Sequence, residues 1–255
     1  MNQGKCSFTR SARVVAAAVI LTAGLTAPVL AESSGRGEIG AVLASGNTQS
    51  RSGNVKISVD LEADKWSHKA GFAGVYVSND LGTTAQRWEV FEQSNYQFDP
   101  HIFWFGGLRY EDDRFSGFDY QATVSTGIGR NFIDTEPTKL SAQLGLGYKN
   151  SSTRVTFDPV TGLLVPALRT STIAAIGNAE YRHALNAATS LRDKLTIEST
   201  SSNTFLQNEV GLEVKMTVKL ALAVSFAVRH NTDPPEAFKK TDTLTTVNIV
   251  YDTKE

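Results

Sequence analysis

Between Asn54 and Asp64 the chain reads NVKISVDLEAD. In an extended strand this places Val55, Ile57, Val59, Leu61 and Ala63 on one face and Lys56, Ser58, Asp60, Glu62 and Asp64 on the other, because successive side chains point to opposite sides. The same alternation recurs about twelve times, over residues 37–44, 54–63, 66–77, 87–98, 102–110, 120–133, 139–149, 172–182, 189–199, 205–215, 218–229 and 242–251. No stretch after residue 37 keeps a helical period. Most segments run to ~9–12 residues, the length that crosses a bilayer as a tilted strand and about twice that of an ordinary globular strand.

The connections alternate in length. Tight turns follow the even segments: Asp64-Lys65, Asp99-Pro100-His101, residues 134–138, residues 183–188 and Met216-Thr217. Longer connections follow the odd segments, at residues 45–53, 78–86, 111–119, 150–171, 200–204 and 230–241. Short turns at one end and long loops at the other predict an all-β fold, a closed antiparallel up-and-down transmembrane β-barrel of about 12 strands with its termini on the short-turn, periplasmic side. A Greek-key sandwich has no reason to keep that alternation.

If the apolar face meets lipid, amphipathic aromatic rings should gather at its two ends, at headgroup level. Tyr76, Trp88, Tyr110, Tyr120 and Tyr148 fall at the long-loop end of the apolar register, and Trp66, Tyr96, Phe98, Trp104, Phe132, Tyr181 and Tyr251 towards the short-turn end. Aliphatic residues lie between, as in LALAVSFAV from Leu220 to Val228. The girdle expected at the membrane interface is thus Trp66, Tyr76, Trp88, Trp104, Tyr110, Tyr120, Tyr148, Tyr181 and Tyr251. The opposite face carries charge of both signs, and the residues expected to line a possible channel are Lys56, Asp60, Glu62, Arg87, Glu89, Arg109, Glu180, Arg182, Lys194, Glu198, Glu209 and Arg229. Gly127, Gly129, Gly145 and Gly147 share that inward register, where a missing side chain permits bending or makes room.

Three residues sit awkwardly. Glu92 and Asp193 fall on the lipid side, where an acidic group is unfavourable unless a β-bulge re-aims it. Arg130 shares that face but lies near an end, where it can snorkel to headgroups.

The first residues change the setting. Lys5, Arg10 and Arg13 precede an apolar run from Val14 to about Ala27, and Val29-Leu30-Ala31 precedes Glu32, the plan of a secretory signal peptide over residues 1–31 with the barrel domain over 32–255. The apolar run is shorter than the ~20 residues of a spanning helix. Cleavage would remove three basic and no acidic residues, leaving 22 Lys plus Arg against 26 Asp plus Glu, a formal charge near −4. That is no nucleic-acid footprint. The single cysteine, Cys6, would leave with the leader, so no disulfide or thiol chemistry remains.

Candidate chemistry is thin. Of the four histidines, His68, His101 and His183 lie near the short-turn rim and His230 near the long-loop rim beside Asn231 and Asp233, with no serine motif to complete a hydrolase. No catalytic residue, metal site or cofactor is assigned. Glu111, Asp112, Asp113 and Asp119 read as a hydrated acidic loop, with a hard-cation site as the lesser alternative because the spacing fits no calcium template. GIGRNF lies in a strand and opens no helix, against a nucleotide loop.

The segments SGNTQSRSGN, YEDDRFSGFDYQATVSTGIGRNF, LGLGYKNSS and RHNTDPPEAFKKTDTLTTVNIVY, in that order from about Gly37 to Tyr251, resemble the salt-induced outer membrane protein family, the YdiY-like proteins. The resemblance implies a Gram-negative outer-membrane β-barrel of undefined activity with a link to salt or osmotic response. One departure stands out: such barrels commonly end on an aromatic residue read by the barrel assembly machinery, whereas here DTKE follows Tyr251.

Two functions follow. The first is an outer-membrane barrel acting as a narrow passive channel or envelope-stabilising protein, exported by its signal peptide, with outer-membrane lipid, lipopolysaccharide and the assembly machinery as partners and no nucleic acid. The alternative is a soluble periplasmic β-barrel or sandwich binding an apolar ligand. The number of copies that assemble is open.

Overall fold

The computed structural model describes residues 32–253 apart from 45–49, 80–81, 114–115, 158–161 and 236–237. The signal-peptide expectation for residues 1–31 lies outside the described residues.

Among the described residues fourteen strands form: β1 (Glu32–Ala44), β2 (Ser50–Ala63), β3 (Trp66–Asn79), β4 (Gly82–Gln97), β5 (Ile102–Asp113), β6 (Phe118–Asp134), β7 (Thr138–Thr153), β8 (Thr156–Phe157), β9 (Leu164–Val165), β10 (Arg169–Ala184), β11 (Thr189–Ser199), β12 (Thr204–Lys215), β13 (Leu220–Asn231) and β14 (Thr241–Asp252). Twelve of them close into one antiparallel barrel in which each pairs with its neighbour in the chain, while β8 and β9 form a separate hairpin within the long β7–β10 connection. The expected all-β, up-and-down, twelve-stranded barrel is therefore the observed fold. The strands exceed the expected length mainly at the long-loop end. β1 also starts five residues early, where polar Glu32 to Arg36 pair with Ser58 to Glu62 of β2; apolar alternation gives no sign of these residues because none of the five is apolar enough to mark an outward face.

Four pairings, from Arg36↔Asp252 to Ile39↔Ile249, close the seam between β1 and β14. Thr253 extends it by accepting from Gly35 N at its Oγ1 (2.6 Å) and donating its own N–H to Gly35 O (2.8 Å). Asp252 and Thr253 are thus part of the closure.

Several short turns use one device, a side-chain oxygen that accepts backbone N–H groups left free by the reversal. Asp99 accepts from His101 and Ile102, Asn186 from Ala188 and Thr189, and Thr217 from Lys219 and Leu220. Those two N–H groups hold the Asp99 carboxyl below its usual range. Asp64, in the two-residue turn between β2 and β3, takes a left-handed φ of 50°.

The two faces are sorted inside out. Leu144 (75%), Ile173 (69%) and Ile39 (65%) are exposed on the outer wall, whereas Glu111 (1%), Asn248 (2%) and Glu198 (4%) are buried within. Ile57, Val59 and Leu61 of the opening stretch all lie outside. The topology excludes a sandwich, and the enclosed face is mainly polar and offers an apolar ligand little apolar lining. Among the described residues, three of the seven buried apolar side chains are rings: Phe103, Phe105 and Phe205. Phe103 and Phe105 of β5 turn inward beside Gly127, Gly129 and Gly145, and a Cβ on Gly145 would come within 2.8 Å of Phe105 Cζ and closer still to the Thr126 carbonyl. The inward glycines therefore hold space for two aromatic rings.

Gly145→Val should lower stability by roughly 1–3 kcal/mol, the usual cost of overpacking, read as a lower denaturant midpoint of the folded band in micelles. Gly37→Ala, where a Cβ meets nothing within 4 Å, should leave that midpoint unchanged.

Candidate functional site: the charged lumen

Alternation along β5 carries Arg109, Glu111 and Asp113 to the same inward face, so the acidic stretch continues a strand and is not a free loop. This corrects the acidic-loop expectation: Glu111 and Asp113 are buried and bonded to arginine, and among the described residues no cluster of His, Cys, Asp or Glu could hold a metal.

Arg229 on β13 reaches Glu111 at 2.7 Å and Asp113 at 2.9 Å. In the closed order β5 and β13 are six strands apart in either direction, so these bonds cross the full width of the barrel. Arg109 of β5 bonds the neighbouring Glu111, Glu89 of β4 at 3.2 Å and Glu198 of β11 at 2.9 Å, and Lys149 of β7 adds a second cation to Glu198 at 2.8 Å. Phe205 of β12 lies beneath three of these cations, with Arg229 4.9 Å, Arg109 5.8 Å and Lys149 6.0 Å from its ring centre. Each charge has opposite partners, as buried charges require, and a desolvated cation over a ring is worth up to ~2 kcal/mol. Together they form a septum in the half of the lumen nearer the long loops.

Chain covers the same end. Pro235 and Phe238, in the β13–β14 connection, pack onto Gly117 of the β5–β6 connection on the opposite side of the mouth. Arg154 binds this layer through Phe118 O at 3.1 Å, Asp112 at 3.2 Å and Asp119 at 3.2 Å.

Towards the short turns the lumen opens into two adjoining spaces of about 430 and 640 Å³, with Lys69, Glu89, Glu180 and Lys194 common to both. Lys56 bonds Glu209 (2.6 Å), Asp60 bonds Lys69 (3.4 Å) and Glu180 bonds Lys194 (3.2 Å). Arg87 and Arg182 line the larger space and Glu62 the smaller. All twelve residues expected on this face thus turn inward, but they divide: Glu89, Arg109, Glu198 and Arg229 join the septum, and the others line the chambers or their edge. Not singled out beforehand were Arg36 and Lys69 in the chambers and Lys149 and Phe205 in the septum. Strand parity was sufficient to place Lys69, Lys149 and Phe205 inside, whereas Arg36 precedes the expected first strand; what the chain could not show was which distant strand each would meet.

On the outer wall the long-loop aromatics touch in sequence, Trp88 with Tyr110 (5.3 Å) and Tyr110 with Tyr120 (5.9 Å). At the other end Trp66 meets Tyr96 (5.0 Å) and Trp104 (6.2 Å). Tyr76, Tyr148, Tyr181 and Tyr251 stand on the same wall without a ring contact to another of the nine, Tyr181 stacking instead on His183. Phe98 lies in the β4–β5 turn, its ring 5.4 Å from Tyr96. Glu92 and Asp193 do point outward. Glu92 accepts from Ser94 Oγ (2.6 Å), which contacts His68 Nδ1 (2.7 Å), and Asp193 accepts from Asn208 Nδ2 (2.6 Å). Local hydrogen bonds, not bulges, accommodate them. Arg130 lies over the Phe132 ring at 5.5 Å.

Comparison with curated protein sequences returns no match. Among solved structures, the translocator domain of the autotransporter NalP from Neisseria meningitidis superposes with a TM-score of 0.51 at 11% identity, covering 87% of each chain. An outer membrane channel from Pseudomonas putida F1 gives 0.49 at 12% identity over 89% of this chain and 97% of its own. The NanC porin gives 0.46 at 10% identity over 87% and 98%. Likeness to NalP at this identity is likeness of fold, a closed barrel. The family model described as protein of unknown function, DUF481, matches residues 37–252, and the chain belongs to that family.

Proposed function

We propose that this protein is an outer-membrane β-barrel that acts as a narrow channel, closed at rest by the Arg229–Glu111 and Arg109–Glu198 septum. The observation that carries the closed state is the set of ion pairs spanning the barrel between strands six positions apart.

The location rests on the outer wall. A belt of exposed aliphatic side chains encircling a protein is far larger than the apolar patches tolerated in water, and a closed barrel satisfies every backbone group where none is available from solvent. Acyl chains would cover that belt, the aromatic rings would lie at the two headgroup levels, and lipopolysaccharide would surround the long-loop end. The barrel assembly machinery would complete the β1–β14 seam. After removal of residues 1–31 the chain has no cysteine, so single cysteines report cleanly. In liposomes, a bimane label at Val124 or Ile249 should be quenched by lipid-borne nitroxide, and one at Ser125 or Asn248 should not; equal quenching at both parities would reject the bilayer orientation.

Opening requires the septum pairs to part. Removing one member of a buried pair leaves its partner uncompensated at a cost of ~3–5 kcal/mol, whereas removing both relieves the crossing. In planar bilayers the wild-type protein should therefore give rare, small steps, and the double variants Arg229→Ala/Glu111→Ala and Arg109→Ala/Glu198→Ala should give frequent, larger ones. Silence of folded wild type and both double variants would sink the channel reading and leave an envelope-stabilising barrel. The salt link would act on the same pairs. It would act once they part and hydrate, screening the separated charges as the Debye length falls from about 10 Å at 0.1 M to about 3 Å at 1 M, so wild-type open probability should rise with KCl concentration, and the double variants should show no such rise.

A further inference from the structure

Like charges placed directly opposite on adjacent strands repel, and most sheets avoid them. Near the short turns this barrel sets three side by side. Lys139 of β7 stands opposite Arg182 of β10, and Arg182 stands opposite Arg192 of β11. All three line the 640 Å³ space. The next strand contributes Gly211 opposite Arg192, so the row ends in a position with no side chain.

The acids nearby do not neutralise the row. Lys139 has Asp134 at 3.3 Å, but both are well exposed and such a pair contributes little. Glu213 is divided between Arg192 (3.2 Å) and Arg36 (2.5 Å), and Arg36 also holds Glu38 at 2.9 Å. Glu180 and Glu209, which line the same space, are engaged by Lys194 and Lys56. Among the described residues Arg182 makes no hydrogen bond or ion pair, and Nε of Arg192 is buried with no acceptor. A buried donor without a partner is uncommon and marks a place where an acceptor belongs.

We propose that the Lys139–Arg182–Arg192 row is a binding site for a small polyanion carrying carboxylate or phosphate groups, entering from the short-turn side. Cβ atoms of directly opposed residues lie about 5 Å apart, so one molecule with two anionic groups bridges adjacent cations. The guanidinium fork of Arg182 takes one group in paired N–H···O bonds, and Arg192 Nε–H donates to the second. The room beside Gly211 accommodates the body of the molecule, and the space falls within the ~300–1,000 Å³ of ordinary ligand sites. The anion relieves the repulsion within the row, so binding stabilises the fold. The site does not depend on the septum opening, because the chamber lies on its short-turn side.

The test uses folded protein in detergent micelles titrated with inorganic pyrophosphate, followed by calorimetry and by the thermal midpoint, with chloride at matched ionic strength as control. Saturable binding of one pyrophosphate per chain is expected, with a raised midpoint that chloride does not reproduce. Affinity should fall about tenfold or more in Arg182→Gln and in Arg192→Gln, each of which removes charge-assisted hydrogen bonds. Arg182→Lys, which keeps the charge but loses the fork, should retain part of it. Arg154→Gln, at the long-loop end, should bind as wild type. Absence of saturable binding by folded wild type, an effect equalled by chloride, or unchanged affinity in both glutamine variants would overturn the proposal. Conductance plays no part in these readouts, so failure of the channel reading would be seen separately.

Discussion

Pairings from Arg36↔Asp252 to Ile39↔Ile249, continued by the two bonds between Gly35 and Thr253, join the last strand to the first and leave none of the twelve with an open edge. An unpaired backbone amide in an apolar medium costs several kcal/mol, so a sheet can present aliphatic side chains all round only if it closes on itself. Closure then dictates the remainder. Each strand has one face outside and one enclosed, and the enclosed face receives every charge that the outer wall cannot carry.

The enclosed charges solve their own desolvation problem locally. Glu111, 1% exposed, is met by Arg109 and Arg229, and Glu198, 4% exposed, by Arg109 and Lys149. Arg229 comes from the strand diametrically opposite Glu111, and Arg109 lies four strands from Glu198, so neutralising these carboxylates also lays side chains across the lumen. The chambers towards the short turns keep free volume although Lys56 and Glu209 also pair across several strands, and the Lys139–Arg182–Arg192 row is left partly uncompensated. The two halves differ in that only the long-loop half is crossed between diametrically opposite strands.

The outer wall shows the same economy on a smaller scale. Glu92 with Ser94, and Asp193 with Asn208, point away from the lumen yet keep acceptor and donor together. Trp104 likewise donates from its indole to Thr126 Oγ1 at 2.8 Å. Glu92, Asp193 and Trp104 are thus each satisfied by a neighbour on the same face.

Period-two alternation by itself determined the strands, their antiparallel order, the alternation of turns and loops, and the face on which each side chain lies. These are local properties, fixed by the fact that neighbouring residues in a strand point opposite ways. Parity assigned Lys56 inward and Ile57 outward with no further information. It could not decide whether Arg229 would meet Glu111, 118 residues away, or that Phe205 would lie under three cations. Those contacts follow from which strands stand opposite across the closed barrel and how far long side chains extend, quantities that exist only once the ring is complete. The acidic stretch at Glu111 shows the limit most directly: its composition suggested a hydrated loop, and only the pairing of β5 with its neighbours made it the centre of a septum.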